Sequence, residues 1–180
     1  GCSIFKKLLP WKKMILDIRT LSVNQEEKTR IAENNKIKQT CNIYDFITII
    51  SEGTRDYISL KKDKSAIIPL GSDIISNTVK NFDTIRLLYI GTLSGRDIDK
   101  TIMGLSIFIK AHPEVPIHYD IIGDGYNNEL NMLMKLTQEL NITENVTLHG
   151  FMPHTKIRHF FDKCNIGVSF VPITEYFNYQ

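Results

Sequence analysis

The chain has 180 residues, and its 22 lysines and arginines nearly balance 20 aspartates and glutamates, which leaves a net charge of +2. Hydrophobic residues make up 42% of the sequence, as in ordinary globular proteins, which excludes disordered, collagen-like and low-complexity chains. The charge balance argues against a dedicated nucleic-acid binder. No apolar run reaches the roughly 18–20 residues that a membrane-spanning helix needs.

The number and spacing of the cysteines indicate whether the protein works in an oxidising or a reducing compartment. Cys2, Cys41 and Cys164 are odd in number and have no CxxC spacing, so neither a disulfide framework nor a zinc site is expected. A reducing, cytoplasmic environment fits best. Because the chain starts with Gly1 rather than Met and stops at Gln180 just after a strand-like run, we expect it to be a piece of a longer protein.

Residues 3–13 combine lysines with apolar side chains. Two interpretations remain open for them. The stretch Phe5–Lys13 could form a short amphipathic helix that leads into a strand, or it could contact an anionic membrane surface. The first is favoured because Pro10 cuts any helix short.

From residue 14 to residue 72, segments that predict strands alternate with segments that predict helices. Strands are predicted at 14–20, 46–51 and 66–69, and helices at 23–42 and 54–60. Residues 72–85 have weak periodicity and many turn-forming residues. We therefore predict one domain over 1–72, a linker over 73–85 and a second domain over 86–180.

The second domain has the more regular pattern. Strands are predicted at 87–90, 117–122, 146–148 and 166–171, and the intervening helices carry apolar residues at helical spacing. These residues are Ile98, Ile102, Leu105 and Ile109, then Leu130, Leu133, Met134, Thr137 and Leu140, then Ile157, Phe160, Phe161 and Cys164. Strands that alternate with amphipathic helices predict an α/β fold with a parallel sheet.

Three loops after these strands begin with glycine, at Gly91, Gly123 and Gly150. In a parallel sheet they share the edge where ligands bind, and glycine lets backbone amides approach a ligand closely. Arg96 precedes the first helix of this domain, where a phosphate would suit both its guanidinium and the helix N-terminus. Glycines that simply end strands and a solvated Arg96 are the alternative for any one loop, but three loops on one edge favour a nucleotide or phosphorylated ligand.

The sequence motifs for other kinds of site, such as dinucleotide, metal and nucleophile sites, are weaker or absent. The Gly123-Asp-Gly125 segment lacks the third glycine of a dinucleotide fingerprint, and no Walker loop is present. Asp97 and Asp99 could hold a divalent metal, although carboxylates in the first turn of a helix are stabilised by its dipole alone. The five histidines have no HExxH spacing, and no nucleophile elbow is found.

Seven segments, in order, resemble retaining glycosyltransferases of the GT-B fold, in the GT4-like family (glycosyl transferases group 1). They are Ile15–Arg19, Ile49–Ile58, Ile68–Asp73, Leu88–Leu93, Ile121–Gly125, Val146–Pro153 and Ile166–Pro172. Each segment is a loose match, whereas the ordered set is specific and covers residues 14–180. The resemblance implies two Rossmann-like domains, with the end of the acceptor domain followed by a truncated donor domain.

The resemblance also implies an activity. A hexosyl group would pass from a UDP- or GDP-linked donor to a glycan or lipid-linked acceptor with retention of configuration, in cell-surface polysaccharide synthesis, in the cytoplasm or at the inner membrane face. Metal is not expected, since backbone amides and basic side chains hold the diphosphate in this family. The implied donor-binding residues are Gly91, Thr92, Arg96, Gly123, Gly150, Phe151, Met152 and His154.

The sequence departs from the family pattern in two ways. Thr92 stands where many members have arginine, so Arg96 is the one basic residue of that loop. The family's catalytic lysine and glutamate fall outside this chain, as does the first half of the acceptor domain, so we expect the 180 residues alone to be inactive. A non-catalytic nucleotide-binding module and another nucleotide-sugar or NAD enzyme remain as alternatives.

Overall fold

The computed structural model describes residues 2–24, 26–72, 74 and 76–173, without the side chains of Cys2 and Ser3. The chain divides into two compact units, one formed by residues up to 72 and the other by residues 73–172. Residues 73 and 75 of the expected linker, and residues 174–180 of the expected donor domain, lie outside the described part.

The first unit is a three-stranded parallel sheet with helices between its strands. Its elements are α1 (Cys2–Leu8), β1 (Ile15–Ile18), α2 (Glu27–Thr40), β2 (Phe46–Ile49), α3 (Glu52–Tyr57) and β3 (Ser65–Ile67). The strand order is β1-β2-β3, with Ile15 beside Phe46 and Ile47 beside Ser65. Its core consists of Ile18, Leu21, Cys41, Ile47, Ile49 and Ile58.

Two boundaries in this unit differ from the prediction. The helix expected to begin at Thr54 begins at Glu52, because Ser51 caps it by accepting a hydrogen bond from the Thr54 amide at 3.1 Å. The strand expected to reach Pro69 ends at Ile67. The Ile68 amide still donates to the Ile49 carbonyl at 2.8 Å, which is the last bond of this ladder in the described residues. Pro69 follows on the edge strand of the sheet, a position where proline is tolerated.

The N-terminal helix α1 ends at Leu8, two residues before Pro10, as predicted from the proline. It leads into β1, and Lys6 forms an ion pair with Asp45 at the start of β2. Ile4, Phe5, Leu8 and Trp11 are exposed. Contact with an anionic membrane surface stays a prediction, and no helix in the described residues is long and apolar enough to span a bilayer.

The second unit is a four-stranded parallel sheet with order β6-β5-β4-β7. Its elements are β4 (Ile85–Ile90), α4 (Ile98–Ala111), β5 (Ile117–Ile122), α5 (Glu129–Glu139), β6 (Val146–Leu148), α6 (His154–Lys163) and β7 (Ile166–Gly167). The chain builds outward from β4 to β6 and then returns to the other side of β4. Right-handed crossovers therefore place α4 and α5 on one face of the sheet and α6 on the other.

Two cores match this layering. One packs α4 and α5 against the sheet through Tyr89, Leu93, Ile98, Ile102, Leu105, Tyr119, Ile121, Leu133, Ile142 and Val146. The other packs α6 against the opposite face through Leu88, Ile122, Ile157, Phe160 and Cys164. The reversal of direction between β4 and β7 is a topological switch point, where open α/β sheets bind ligands.

The last strand is shorter than predicted. A strand over 166–171 was expected from its apolar run, but β7 covers only Ile166–Gly167. The Val168 amide makes a last ladder bond to the Leu88 carbonyl at 2.8 Å, after which the chain leaves β4. An apolar run forms a strand only where a neighbouring strand accepts its hydrogen bonds.

Candidate nucleotide site

The three strand-ending glycines lie side by side at the carboxyl edge of the second sheet. The Gly91 amide donates to the Ile122 carbonyl at 3.0 Å, and the Gly123 amide donates to the Gly150 carbonyl at 2.9 Å. The loops after β4, β5 and β6 are thus joined backbone to backbone. This juxtaposition is the one that the parallel-sheet prediction requires.

Gly123 is the position in this row that accepts no side chain. Its φ is +149°, and a Cβ built there would lie 1.8 Å from the Gly91 carbonyl oxygen. Both atoms are fixed by the backbone, so the two loops can touch only because residue 123 has no side chain. Because the two loops touch, the residues after β4 and β5 form one continuous surface.

That surface is the wall of a cavity of about 510 Å³. Its lining consists of Ile90, Gly91, Thr92, Ile122, Gly123, Asp124, Gly125, Tyr126, Phe151, Met152 and Ile157. Most of the lining is apolar or glycine, and the rings of Phe151 and Tyr126 are 76% and 94% exposed. Of these lining residues Asp124 alone is charged, and none is a lysine, arginine or histidine. The cavity therefore suits a flat, largely apolar group held by aromatic rings and backbone amides.

Tyr89 holds the loop that follows β4 and begins at Gly91. Its side chain is buried, its hydroxyl donates to the Thr92 carbonyl, and a Cβ on Gly91 would lie 2.9 Å from that hydroxyl. Burial raises the pKa of the Tyr89 phenol, and the nearby Arg96 guanidinium opposes part of that rise. The phenol is thus a neutral hydrogen-bond donor that fixes the loop after β4.

Ser94 and Glu129 join the first two loops from the side. The Ser94 hydroxyl accepts a hydrogen bond from the Tyr126 amide at 2.9 Å and donates to the Glu129 carboxylate. Glu129 also accepts the Asn127 amide at 2.6 Å. The hydrogen bond from Ser94 is the largest of the effects that hold the pKa of Glu129 below its usual range. The carboxylate is therefore charged at neutral pH and orders the loop that carries Tyr126.

The structure brings most of the predicted donor-binding residues together. Gly91, Thr92, Gly123, Phe151 and Met152 line the cavity, and Gly150 lies next to it, since its carbonyl accepts a hydrogen bond from the Gly123 amide.

Three predicted residues, Gly150 among them, do not line the cavity. His154 is the exposed first residue of α6, and Arg96 lies half-buried near Tyr89. Their roles in binding stay predictions.

Sequence reasoning missed Tyr89, Ser94, Tyr126 and Glu129. Only Tyr126 had a local signal, since it directly follows the Gly123-Asp-Gly125 segment at the end of a strand. The other three act through tertiary contacts.

Asp97, the first residue of the acidic pair at the start of α4, has a partner within the chain. Asp97 is the residue before the helix, in a left-handed conformation with φ of 48°, and it pairs with Lys100 at 2.6 Å. Throughout the described ranges, no three His, Cys, Asp or Glu side chains are grouped so that they could hold a metal ion.

No family model matches the chain, and no curated protein matches its sequence. Solved structures do match. TarM of S. aureus has a TM-score of 0.67 at 18% identity, with 94% of this chain and 34% of that chain covered. HepE of Anabaena in complex with UDP has a TM-score of 0.69 at 13% identity, with 93% and 49% covered. The pneumococcal O-GlcNAc transferase GtfA in complex with UDP and GlcNAc has a TM-score of 0.61 at 15% identity, with 86% and 32% covered.

The chain thus spans between about a third and a half of the length of these structures. At such low identities the likeness establishes the fold. The chain has the α/β fold with parallel sheets of GT-B glycosyltransferases, as the sequence predicted.

Proposed function

We propose that the chain is part of a glycosyltransferase, and that the cavity at the carboxyl edge of the second sheet holds the nucleotide of a UDP- or GDP-linked sugar donor. The observation that carries this proposal is the glycine-lined cavity beside the topological switch point. UDP in the structures of HepE and GtfA, which share the fold, supports the nucleotide assignment. The acceptor would be a glycan or a lipid-linked sugar.

The lining suits the nucleoside half of the donor better than its diphosphate. Phe151 and Met152 offer a ring and a polarisable thioether to a base, whereas none of the described residues that line the cavity is cationic. Cleavage of the sugar–phosphate bond places charge on the diphosphate, which fixed cations stabilise more in the transition state than in the ground state. We therefore propose that the lysine and glutamate of the retaining reaction lie outside these 180 residues. Measured transfer or donor hydrolysis by the isolated chain would contradict this part of the proposal.

The first test is nucleotide binding by calorimetry with the 180-residue chain. We expect UDP or GDP to bind in clear preference to NAD, and Phe151→Ala to weaken that binding about tenfold through loss of stacking on the base. Phe82→Ala is the matched control, because Phe82 is 60% exposed and precedes β4, at the opposite edge of the sheet. Preference for NAD would favour another class of nucleotide enzyme. A folded chain that binds none of the three would contradict the proposal.

Arg96 is expected to act on the diphosphate alone. Arg96 lies five residues after Gly91, and its charge acts on the Tyr89 phenol, which holds that loop. Charge-assisted hydrogen bonds from a guanidinium to phosphate are worth roughly 1.5–3 kcal/mol. Arg96→Ala should therefore weaken UDP binding about tenfold or more and leave uridine binding unchanged. Equal losses for uridine and UDP would show that Arg96 only supports the loop. Unchanged binding of both would remove it from the site.

A further inference from the structure

The second sheet contains a buried carboxylate that the cavity does not use. Asp120 lies in the middle of β5, 1% exposed, between Leu88 of β4 and Thr147 of β6. A carboxylate removed from water costs free energy unless it is paired and fully hydrogen-bonded. The groups that pair with Asp120 therefore indicate which parts of the fold its carboxylate holds together.

Two strong partners reach Asp120 from different elements. His149, after β6, places Nε2 at 2.7 Å from Oδ1, and Lys163, at the end of α6, places Nζ at 3.0 Å from Oδ2. Because a carboxylate only accepts, the Nε2 atom of His149 must carry a proton.

Weaker neighbours complete the surroundings of the carboxylate. His118 Nε2 lies 3.8 Å from Oδ1 and shares a hydrogen bond with Thr147, and the Cys164 thiol donates to Oδ2 at 3.7 Å. Burial raises the pKa of the Cys164 thiol to about 11, and the charges of Lys163 and Arg86 oppose part of that rise. Asp120 therefore joins the end of β6 and the end of α6 to the centre of the sheet.

Both joined elements border the cavity. His149 directly precedes the loop that carries Phe151 and Met152, and its amide donates to the Ile121 carbonyl at 2.9 Å. Its ring packs edge-on against Phe160 of α6, with centroids 4.8 Å apart. The same helix contributes Ile157 to the cavity wall. His149 is thus joined to β5 through its backbone and to α6 through its ring, at the point where the loop leaves the sheet.

We infer that Asp120 is a positioning residue for the nucleotide cavity: through His149 and Lys163 it fixes the loop of residues 150–153 and helix α6, and so places Phe151 and Met152 against a bound nucleotide. The part that concerns the nucleotide rests on the proposed function. A carboxylate that merely stabilised the fold would instead affect all elements of the unit together.

Amide hydrogen exchange of the nucleotide-free chain separates these cases. In Asp120→Asn we expect the amides of residues 149–152 to exchange about tenfold faster or more, with those of α4 unchanged, because local opening is independent of global unfolding. Glu114→Gln is the matched control, since Glu114 is 70% exposed between α4 and β5. An unchanged loop, or equal acceleration in α4, would overturn the inference.

Variants of His149 keep the test decisive should Asp120→Asn not fold. His149→Phe keeps a ring against Phe160 but removes the donor, so it should accelerate exchange in the loop as Asp120→Asn does. His149→Gln restores an N–H donor and should return exchange toward the wild-type rate. Failure of the conservative variant to differ from His149→Phe would contradict a role for the hydrogen bond.

UDP affinity supplies the second readout. If the wild-type chain binds UDP, both Asp120→Asn and His149→Phe should weaken that binding about tenfold. His149→Gln should weaken it less than His149→Phe does, and Glu114→Gln should leave it unchanged. Unweakened binding in a chain whose loop has loosened would overturn the link to the cavity. If the wild type binds no nucleotide, the proposed function fails, and the exchange measurements still decide whether Asp120 positions the loop.

Discussion

Gly123→Ala is expected to abolish nucleotide binding and to destabilise the second unit. The new Cβ would lie 1.8 Å from the Gly91 carbonyl oxygen, and φ of +149° is a conformation that side chains rarely adopt. Neither atom can move by a change of rotamer, so the loops after β4 and β5 must separate. The hydrogen bonds from Gly91 to Ile122 and from Gly123 to Gly150 depend on that contact. We expect UDP affinity to fall by about a hundredfold or more, and unfolding free energy to fall by about 1–3 kcal/mol from backbone strain alone.

Calorimetry with UDP and urea unfolding check this expectation. Gly104→Ala is the matched control, because Gly104 lies within α4 and a Cβ there meets no atom within 4 Å. The control should gain about 0.5–1 kcal/mol of stability, since alanine is the better helix former, and it should keep its affinity for UDP. A Gly123→Ala chain that binds UDP within about threefold of the wild type would show that this close approach does not shape the cavity.

The features that the sequence predicted well depend on local pattern. Strands β4 to β6 and their helices follow from apolar periodicity. A glycine directly follows β4 and β5, and Gly150 comes two residues after the end of β6. That Gly91, Gly123 and Gly150 meet is a consequence of parallel strands, whose carboxyl ends share one edge. The site's backbone could therefore be placed before any coordinates.

The side chains that hold the site could not be predicted in this way. Asp120 lies within an apolar run that indicates a strand, and its partners His149 and Lys163 are 29 and 43 residues away in sequence. Glu129 could be expected to stabilise the start of α5, but its bond to Ser94 spans 35 residues. Such pairs form only once the strand order is set, and no local signal encodes that order. The short β7 has the same origin, because its length depends on where it leaves β4.

Lys163→Met is the second substitution from which we expect a large effect, and its sign depends on pH. Burial raises the pKa of Asp120, but the hydrogen bonds from His149 and Lys163 lower it more, so that its pKa lies below the usual range. A carboxyl whose pKa is lowered on folding adds stability above its unfolded pKa of about 3.9 and loses it as pH falls through the folded value. Methionine keeps most of the side-chain volume of lysine but removes the charge. The remaining carboxylate then keeps His149 as its principal donor, so the pKa of Asp120 should rise.

The loss of stability should therefore be largest near neutral pH, at about 1–3 kcal/mol, which is less than for a fully buried pair because the Lys163 side chain is 40% exposed. It should shrink below about pH 4, where the carboxyl becomes protonated in both proteins. Urea unfolding at the two pH values measures both quantities. Lys135→Met provides the control, since Lys135 is 77% exposed and pairs with Glu139 on the surface of α5, a contact worth about 0.3–0.5 kcal/mol at most. A Lys163→Met loss that is no larger than this control, or that persists undiminished in acid, would mean that Lys163 does not neutralise Asp120.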